Sequence, residues 1–433
     1  MSNEAELIVA GLAWGLVGLW CAALCLMVLT ARTRRVLGAL DTSANRTASS
    51  KNLPTVTLIV PARNEADCIE RCVRSLLAQD YPALQVVAVN DRSEDGTGEI
   101  LQRLAREFPT RFTAVDIDQL PSGWFGKPYA LHRAVESTAS DLVCFTDADC
   151  QFQTPSLVRL AVEELLARRL GLLTVTPRFV MPSFWERVTV PCCTEALLLW
   201  FQPRLVNNPE HPTAYLNGAF ILARRGELAR IGGWRAVRRE VSEDLKLARL
   251  AKSQGVALGM IESGGLLETR SYTRAIDSWN GWTRIFHGGL TAGQLGATLA
   301  RMTAMFLLPF VAVLGMTATG LVTGDWSQLK SAAGLGLAVA IGLRIAADVG
   351  TCCLLGNSLW PALLAPLGRL FVMGTLVRAL FAKMGLAQLN WRGAVFSAGR
   401  MIHPPALRGP AHSHATPATV GSVLPAAVSQ RSA

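Results

Sequence analysis

The sequence is short of charge. Only 17% of its 433 residues are Asp, Glu, Lys or Arg, against 50% hydrophobic side chains and a mean hydropathy of +0.30. A soluble chain carries roughly 25% charged residues, so a large block must sit in lipid or in a very dry core, and global disorder is excluded. No C-x-x-C occurs among the ten cysteines, and Cys192–Cys193 and Cys352–Cys353 are adjacent pairs. That spacing suits neither a disulfide framework nor a zinc knuckle; it fits buried thiols in a reducing compartment. No basic stripe interleaved with aromatics is present, which argues against a nucleic-acid partner. The surplus of 42 Lys+Arg over 32 Asp+Glu, a net +10, reads instead as the cytoplasmic flanks of a membrane protein.

Charge is wholly missing from Leu7 to Thr30. As a helix this run spans roughly 36 Å, enough for a ~30 Å hydrocarbon layer, and it is too long for a signal-peptide core. Glu4 and Glu6 precede it while Arg32, Arg34 and Arg35 follow, so the positive-inside rule puts the rest of the chain on the cytoplasmic face of the inner membrane. The expected organisation is an anchor at 1–31, a juxtamembrane linker at 32–53 and a soluble-type domain at 54–293. A membrane region follows at 294–400, then a disordered tail at 401–433 rich in Pro, Ala, Ser and His. Within the membrane region 302–322 and 332–355 read as spans, the second with Arg344 and Asp348 spaced i,i+4 to pair on one face. The stretch 360–380, with Arg369, Arg378 and then Lys383, is a third span or an interfacial helix.

From Pro54, short β-branched runs alternate with amphipathic helical stretches. TVTLIVPA, QVVAVN and DLVCFT read as strands, and 68–78, 97–106 and 129–136 as helices. This is the pattern of an α/β domain with a mostly parallel sheet, which binds ligands beyond the carboxyl ends of its strands. Arg63-Asn64-Glu65, Asp91 and Asp147-Ala148-Asp149 fall there. Carboxylates as close as Asp147 and Asp149 repel unless a cation or donors intervene. A hard divalent ion that also binds a diphosphate satisfies them; a solvated acidic turn is the alternative. Asp91 can accept from a base N–H or a ribose hydroxyl, or cap a turn. Lys127, after two glycines, starts a helix, where a cation is disfavoured unless an anion is bound. Glu243 and Asp244 open another helix, as functional carboxylates or as first-turn acids behind an N-capping Ser242.

In order and spacing, VPARNEA, VNDRSEDGT, Gly126-Lys127, TDAD, NGAFILARR, IGGW and SEDLKLA resemble the family 2 glycosyltransferases, over about residues 54–290. The resemblance implies a GT-A fold, a Rossmann-like nucleotide-diphospho-sugar domain, here with N- and C-terminal transmembrane helices. It implies that Glu65 and Asp91 contact the base and ribose of a nucleotide-diphospho-sugar, a UDP-sugar foremost. Asp147 would meet ribose and diphosphate, Asp149 a divalent cation (Mg or Mn) with Gln151 as a further ligand, Lys127 the phosphates or sugar, and Asp244 would be the general base. A single positioned carboxylate gives direct displacement with inversion. Processive synthases of this family carry Q-x-x-R-W, where this chain has Trp279-Asn280-Gly281-Trp282-Thr283-Arg284, so transfer of one sugar is expected. The apolar stretch Phe184–Leu205, broken by Pro191, is a membrane-lying element or a buried core helix. With Gly232-Gly233-Trp234 and Trp391-Arg392-Gly393, the chain is similar to hopanoid-associated and carotenoid-type membrane glycosyltransferases. That similarity implies a lipid or polyisoprenoid-type acceptor, with Glu243, Trp282 and Arg284 near it. The competing readings are a processive polysaccharide synthase and a non-catalytic GT-A-like membrane scaffold.

Overall fold

The structure, a computed structural model, describes residues 3–38, 53–270, 272, 274–356, 358–391, 394–397 and 400–403. Most of the expected linker and almost all of the expected tail lie outside the described residues.

The strands are β1 (Val56–Ala62), β2 (Leu84–Asp91), β3 (Phe112–Ile117), β4 (Leu142–Phe145), β5 (Cys150–Phe152), β6 (Leu172–Thr176), β7 (Arg178–Phe179), β8 (Ile221–Arg224), β9 (Leu258–Glu262) and β10 (Leu267–Thr269). A seven-stranded sheet runs β3-β2-β1-β4-β8-β6-β9, with β8 antiparallel to both its neighbours and every other pairing parallel. Its strands are apolar on both faces because both are covered. Leu58, Val60, Val86, Ala88 and Cys144 point into one core, and Ile59, Val87, Val89 and Phe145 into the other, the period-two alternation of a pleated strand. A second sheet, β5-β10-β7, lies past the carboxyl end of β4.

Helices of eight residues or more are α1 (Asn3–Thr33), α2 (Ile69–Leu77), α3 (Thr97–Glu107), α4 (Gly126–Glu136), α5 (Leu157–Ala167), α6 (Phe184–Leu198), α7 (Glu243–Ser253), α8 (Ala275–Gly289), α9 (Ala292–Met302), α10 (Leu308–Thr323), α11 (Ala332–Leu354) and α12 (Ala365–Lys383). Sequence and structure agree closely on β1, β2 and β4. The exception is α4, which begins at Gly126, ahead of the 129 expected from apolar periodicity, because Pro128 fits the first turn of a helix.

Among the described residues four helical stretches are long and apolar enough to cross a membrane: Glu6–Arg32, Ala292–Thr323, Ala332–Leu354 and Trp360–Lys383. α1 and α11 run parallel. The Trp14 Nε1 donates to the Ala332 carbonyl at 3.2 Å, Trp20 stacks 4.6 Å from the Arg344 guanidinium, and Met27 abuts Gly350. The end of α1 is sewn to the α/β domain, with Arg34 paired to Glu262 at 2.9 Å and Leu37 donating to the Glu262 carbonyl. Arg344 and Asp348 pair at 2.6 Å, as their spacing implies, but not alone. Glu195 of α6 takes both Arg344 Nη atoms at 2.8 and 2.7 Å, and Arg369 of α12 bonds both Asp348 and Glu195.

α6 settles as a helix with one face packed and one exposed. Ser183 and Glu186 form a capping box, Val190 and Cys193 join a third apolar core with Leu245, Phe286 and Val372, and Phe184 and Trp185 stay exposed. Beyond α12, β11 (Leu389–Trp391), β12 (Ala394–Ser397) and β13 (Arg400–His403) form a small antiparallel sheet, so residues 401–403 continue a strand.

Candidate active site

The carboxyl ends of β1, β2 and β4 deliver the polar residues that the α/β pattern puts there. Asn64 and Arg92, just past β1 and β2, both take left-handed backbone (φ 55°), and their loops are stitched together. The Asn64 side chain accepts from the Glu94 N–H at 2.8 Å, the Glu65 N–H donates to Thr97 Oγ1 at 2.9 Å, and the Ala66 N–H donates to Asp95 at 3.0 Å. The Glu65 carboxylate accepts from the Cys68 thiol at 3.4 Å. Asp91, buried, accepts from Arg92 Nε at 2.8 Å and lies so close to the start of α4 that a Cβ on Gly126 would collide with its Oδ2. Only glycine allows that approach.

In the first turn of α4, Lys127 bridges to Asp147 at 2.6 Å and to Glu243 at 3.0 Å. Asp244 joins them through Gly218, whose N–H donates to its Oδ2 at 3.3 Å. A Cβ on Gly218 would stand 3.0 Å from Lys127 Nζ and 3.1 Å from Asp147 Oδ2. These groups line one cleft with Pro61, Phe145 and Trp234. Burial alone would lower the Lys127 pKa, but Asp147, then Glu243 and Asp244, hold it above its ordinary value. Asp244 moves the other way. Burial, then the Glu243 charge, push it up to about 6, against the pull of Lys127. Ser242 does not cap α7 with its side chain; its hydroxyl packs where a Cβ on Gly288 would be.

Asp149 lies two residues beyond Asp147 and its charge is felt by Cys68, whose thiol burial and Glu65 push up to about 12. Gln151 sits on β5, opposite Glu268 of β10. Arg284 lies beside Tyr272, which also feels Asp149. Trp282 is not brought to the cleft: it is 3% exposed in the third apolar core, against Phe179 and Phe286. Its place on the inward stripe of α8 outweighs its sequence neighbourhood. Gly218 escapes a search for charged residues; its sequence signal is the Asn217-Gly218 pair that opens NGAFILARR ahead of a strand.

A mostly parallel sheet with a lysine-bridged carboxylate cleft at its strand ends defines a GT-A-type transferase domain. Residues 57–245 match the family described as Glycosyl transferase family 2. The 4,4'-diaponeurosporenoate glycosyltransferase of Staphylococcus aureus (strain USA300) is 26% identical over 271 residues, 61% of this chain and 69% of that one. The mannosyltransferase from Pyrobaculum calidifontis, in complex with GDP-Man and Mn2+, superposes with a TM-score of 0.52 at 20% identity over 86% of this chain and 99% of that one. That likeness supports the fold. Residues 57–245 thus form a family 2 glycosyltransferase domain, flanked on both sides by helices long and apolar enough to cross a membrane.

Proposed function

We propose that this enzyme moves a single sugar, with inversion, from a nucleotide-diphospho-sugar to a lipid or polyisoprenoid-type acceptor, at the cytoplasmic face of the inner membrane. The observation that carries the reading is the convergence of Lys127, Asp147, Glu243 and Asp244 around Gly218. Lys127 and Asp147 ready the cleft for a diphosphate: an anion arriving beside Lys127 takes the place of Asp147 and leaves the Glu243 pair standing. Glu65 and Asp91, on the stitched loops, take the base and ribose. UDP is the nucleotide we favour.

Glu243 is tied to Lys127, which leaves Asp244 to receive the acceptor's hydroxyl proton. Ionised above about pH 6, it is a competent base at neutral pH. The alcohol oxygen then attacks the anomeric carbon as the bond to the leaving diphosphate oxygen breaks. With Glu243 held by Lys127, and Asp147 and Asp149 given to the donor, no second carboxylate among the described residues of the cleft is assigned to a covalent sugar intermediate, which supports inversion.

The residues fit a divalent cation. Among the described residues no group of three or more His, Cys, Asp and Glu is arranged to hold one, so Asp149, with Asp147 close by, would need the donor's own phosphate oxygens to complete the shell, as Mg²⁺ and Mn²⁺ accept. Such an ion supplies neutralisation of the leaving group's charge. The relatives named above fit this reading: one is named for a carotenoid-type acceptor and another was solved with GDP-Man and Mn2+.

The test is calorimetry and turnover on the purified full chain. Mn²⁺ alone should bind weakly and tighten at least tenfold when UDP is present; Asp149→Ala should remove that coupling. Asp244→Asn should lose about 10²–10⁴-fold in transfer while UDP affinity is kept. Equal Mn²⁺ affinity with and without UDP would overturn the cation assignment, and an active Asp244→Asn the base. Absence of Q-x-x-R-W favours one sugar per acceptor, checked as product mass.

A further inference from the structure

A second feature lies outside the catalytic cleft, where α6, α11 and the turn before α12 meet. Arg344, Asp348 and Arg369 are at most 6% exposed, and with Glu195 they form a quartet of zero net charge. Intramembrane ionisable groups are rare and mark function more often than stability. The quartet is also asymmetric. Both arginines turn inward, Arg344 beneath Trp20 and Arg369 beneath Phe306, whereas Glu195 and Asp348 line a small cleft together with Thr351, Cys352 and Pro361. That cleft has space for about one water-sized group.

Arg187 apart, its surroundings are apolar. Phe184 and Trp360 stack at 5.6 Å beside it, and with Trp185, Leu359 and Leu363 they are exposed, the composition of a membrane-interface belt. The carboxylate oxygens at the floor accept hydrogen bonds, and Arg187, which also lines the cleft, sends its Nε to the Met181 carbonyl at 2.8 Å. Space for about one water-sized group admits a hydroxyl but not a phosphate, and three guanidinium groups around two carboxylates leave an ammonium little to gain. What complements this floor is an uncharged O–H donor on an apolar body.

We propose that this cleft binds the hydroxyl of a neutral membrane lipid alcohol, of the diacylglycerol or isoprenoid-alcohol type, as a site separate from the catalytic cleft. The O–H donates to Asp348 or Glu195 and the chains lie over the exposed aromatic and leucine side chains.

The full-length protein in nanodiscs, exposed to a photoactivatable diacylglycerol or to phosphatidate carrying the same label, tests this. Diacylglycerol should label peptides spanning 184–195 or 351–365 at least fivefold more than phosphatidate. Thr351→Phe, which fills the cleft from α11, should abolish that labelling with UDP binding unchanged. Ala362→Leu, from the facing turn, carries the same expectation should Thr351→Phe not fold. Equal labelling by both lipids, or labelling indifferent to the folded cleft-filling variant, overturns the proposal, as does a cleft holding only water. Because UDP binding is read separately, failure here leaves the glycosyltransferase reading untouched.

Discussion

Asp244 is governed by opposing neighbours. Burial and Glu243 favour its neutral form, while Lys127 favours its anion. Only the anion can take a proton, so kcat/KM should fall on the acid side with an apparent pKa of about 6 and stay level above it. Removing the cation removes the pull towards ionisation. Lys127→Ala should therefore move that acid limb to higher pH and weaken UDP binding, both read from a pH–rate series and a UDP titration; an unmoved limb would mean that Lys127 does not act on Asp244. Gly218→Ala sends a methyl into the gap between Lys127 and Asp147, at 3.0 and 3.1 Å, closer than most carbon contacts. It should cut transfer by ten-fold or more without lowering the melting temperature, since the crowded neighbours are charged tips facing the cleft rather than core.

Between elements, the quartet of Glu195, Arg344, Asp348 and Arg369 ties α6 of the catalytic domain to α11 and α12. Breaking a buried ion pair from one side strands a charge, which costs about 3–5 kcal/mol. Asp348→Ala should accordingly lower the melting temperature in detergent sharply, and Arg369→Met in the same chain should restore part of it; a thermal shift series decides. How much of this was legible follows from spacing. β1, β2 and β4 were readable because apolar runs end in Asn64, Asp91 and Asp147, and Arg344 with Asp348 because i,i+4 residues meet on one helix face. Glu195 was not, being 149 positions from Arg344, and no local pattern encodes which helices will pack. Trp282 and Ser242 were misleading for the same reason: each was read from its neighbours in sequence, whereas the packing of α8 decides where both side chains rest. The clustering of Lys127, Glu243 and Asp244 emerged only through the ordered set of motifs, since each alone fits an ordinary helix start.

At the scale of the whole molecule, the direction of α11 bears on where the chain ends. α1 and α11 run parallel, so the end of α11 lies on the same side as Arg34 and Glu262, where the catalytic domain is attached. α12 starts from that side, its Ala365 carbonyl accepting from the Cys192 thiol of α6 at 3.9 Å. It also finishes against that domain, with Ala382 packed by Phe125 and Val241 near the catalytic cleft. A helix whose two ends both rest on the catalytic domain does not need to cross the bilayer. Its exposed Leu367, Leu370, Val377 and Phe381 then face lipid from the interface, with Arg369 turned inward and Arg378 bonded to Asn280 at 2.7 Å. Of the two readings open for 360–383, this geometry favours the interfacial one, and it makes a topological prediction. A reporter fused after Ala433 should face the same compartment as one inserted within 39–52, next to the catalytic domain. A label-accessibility assay on intact cells and on inverted vesicles reads both, and opposite sides for the two reporters would make α12 a membrane span.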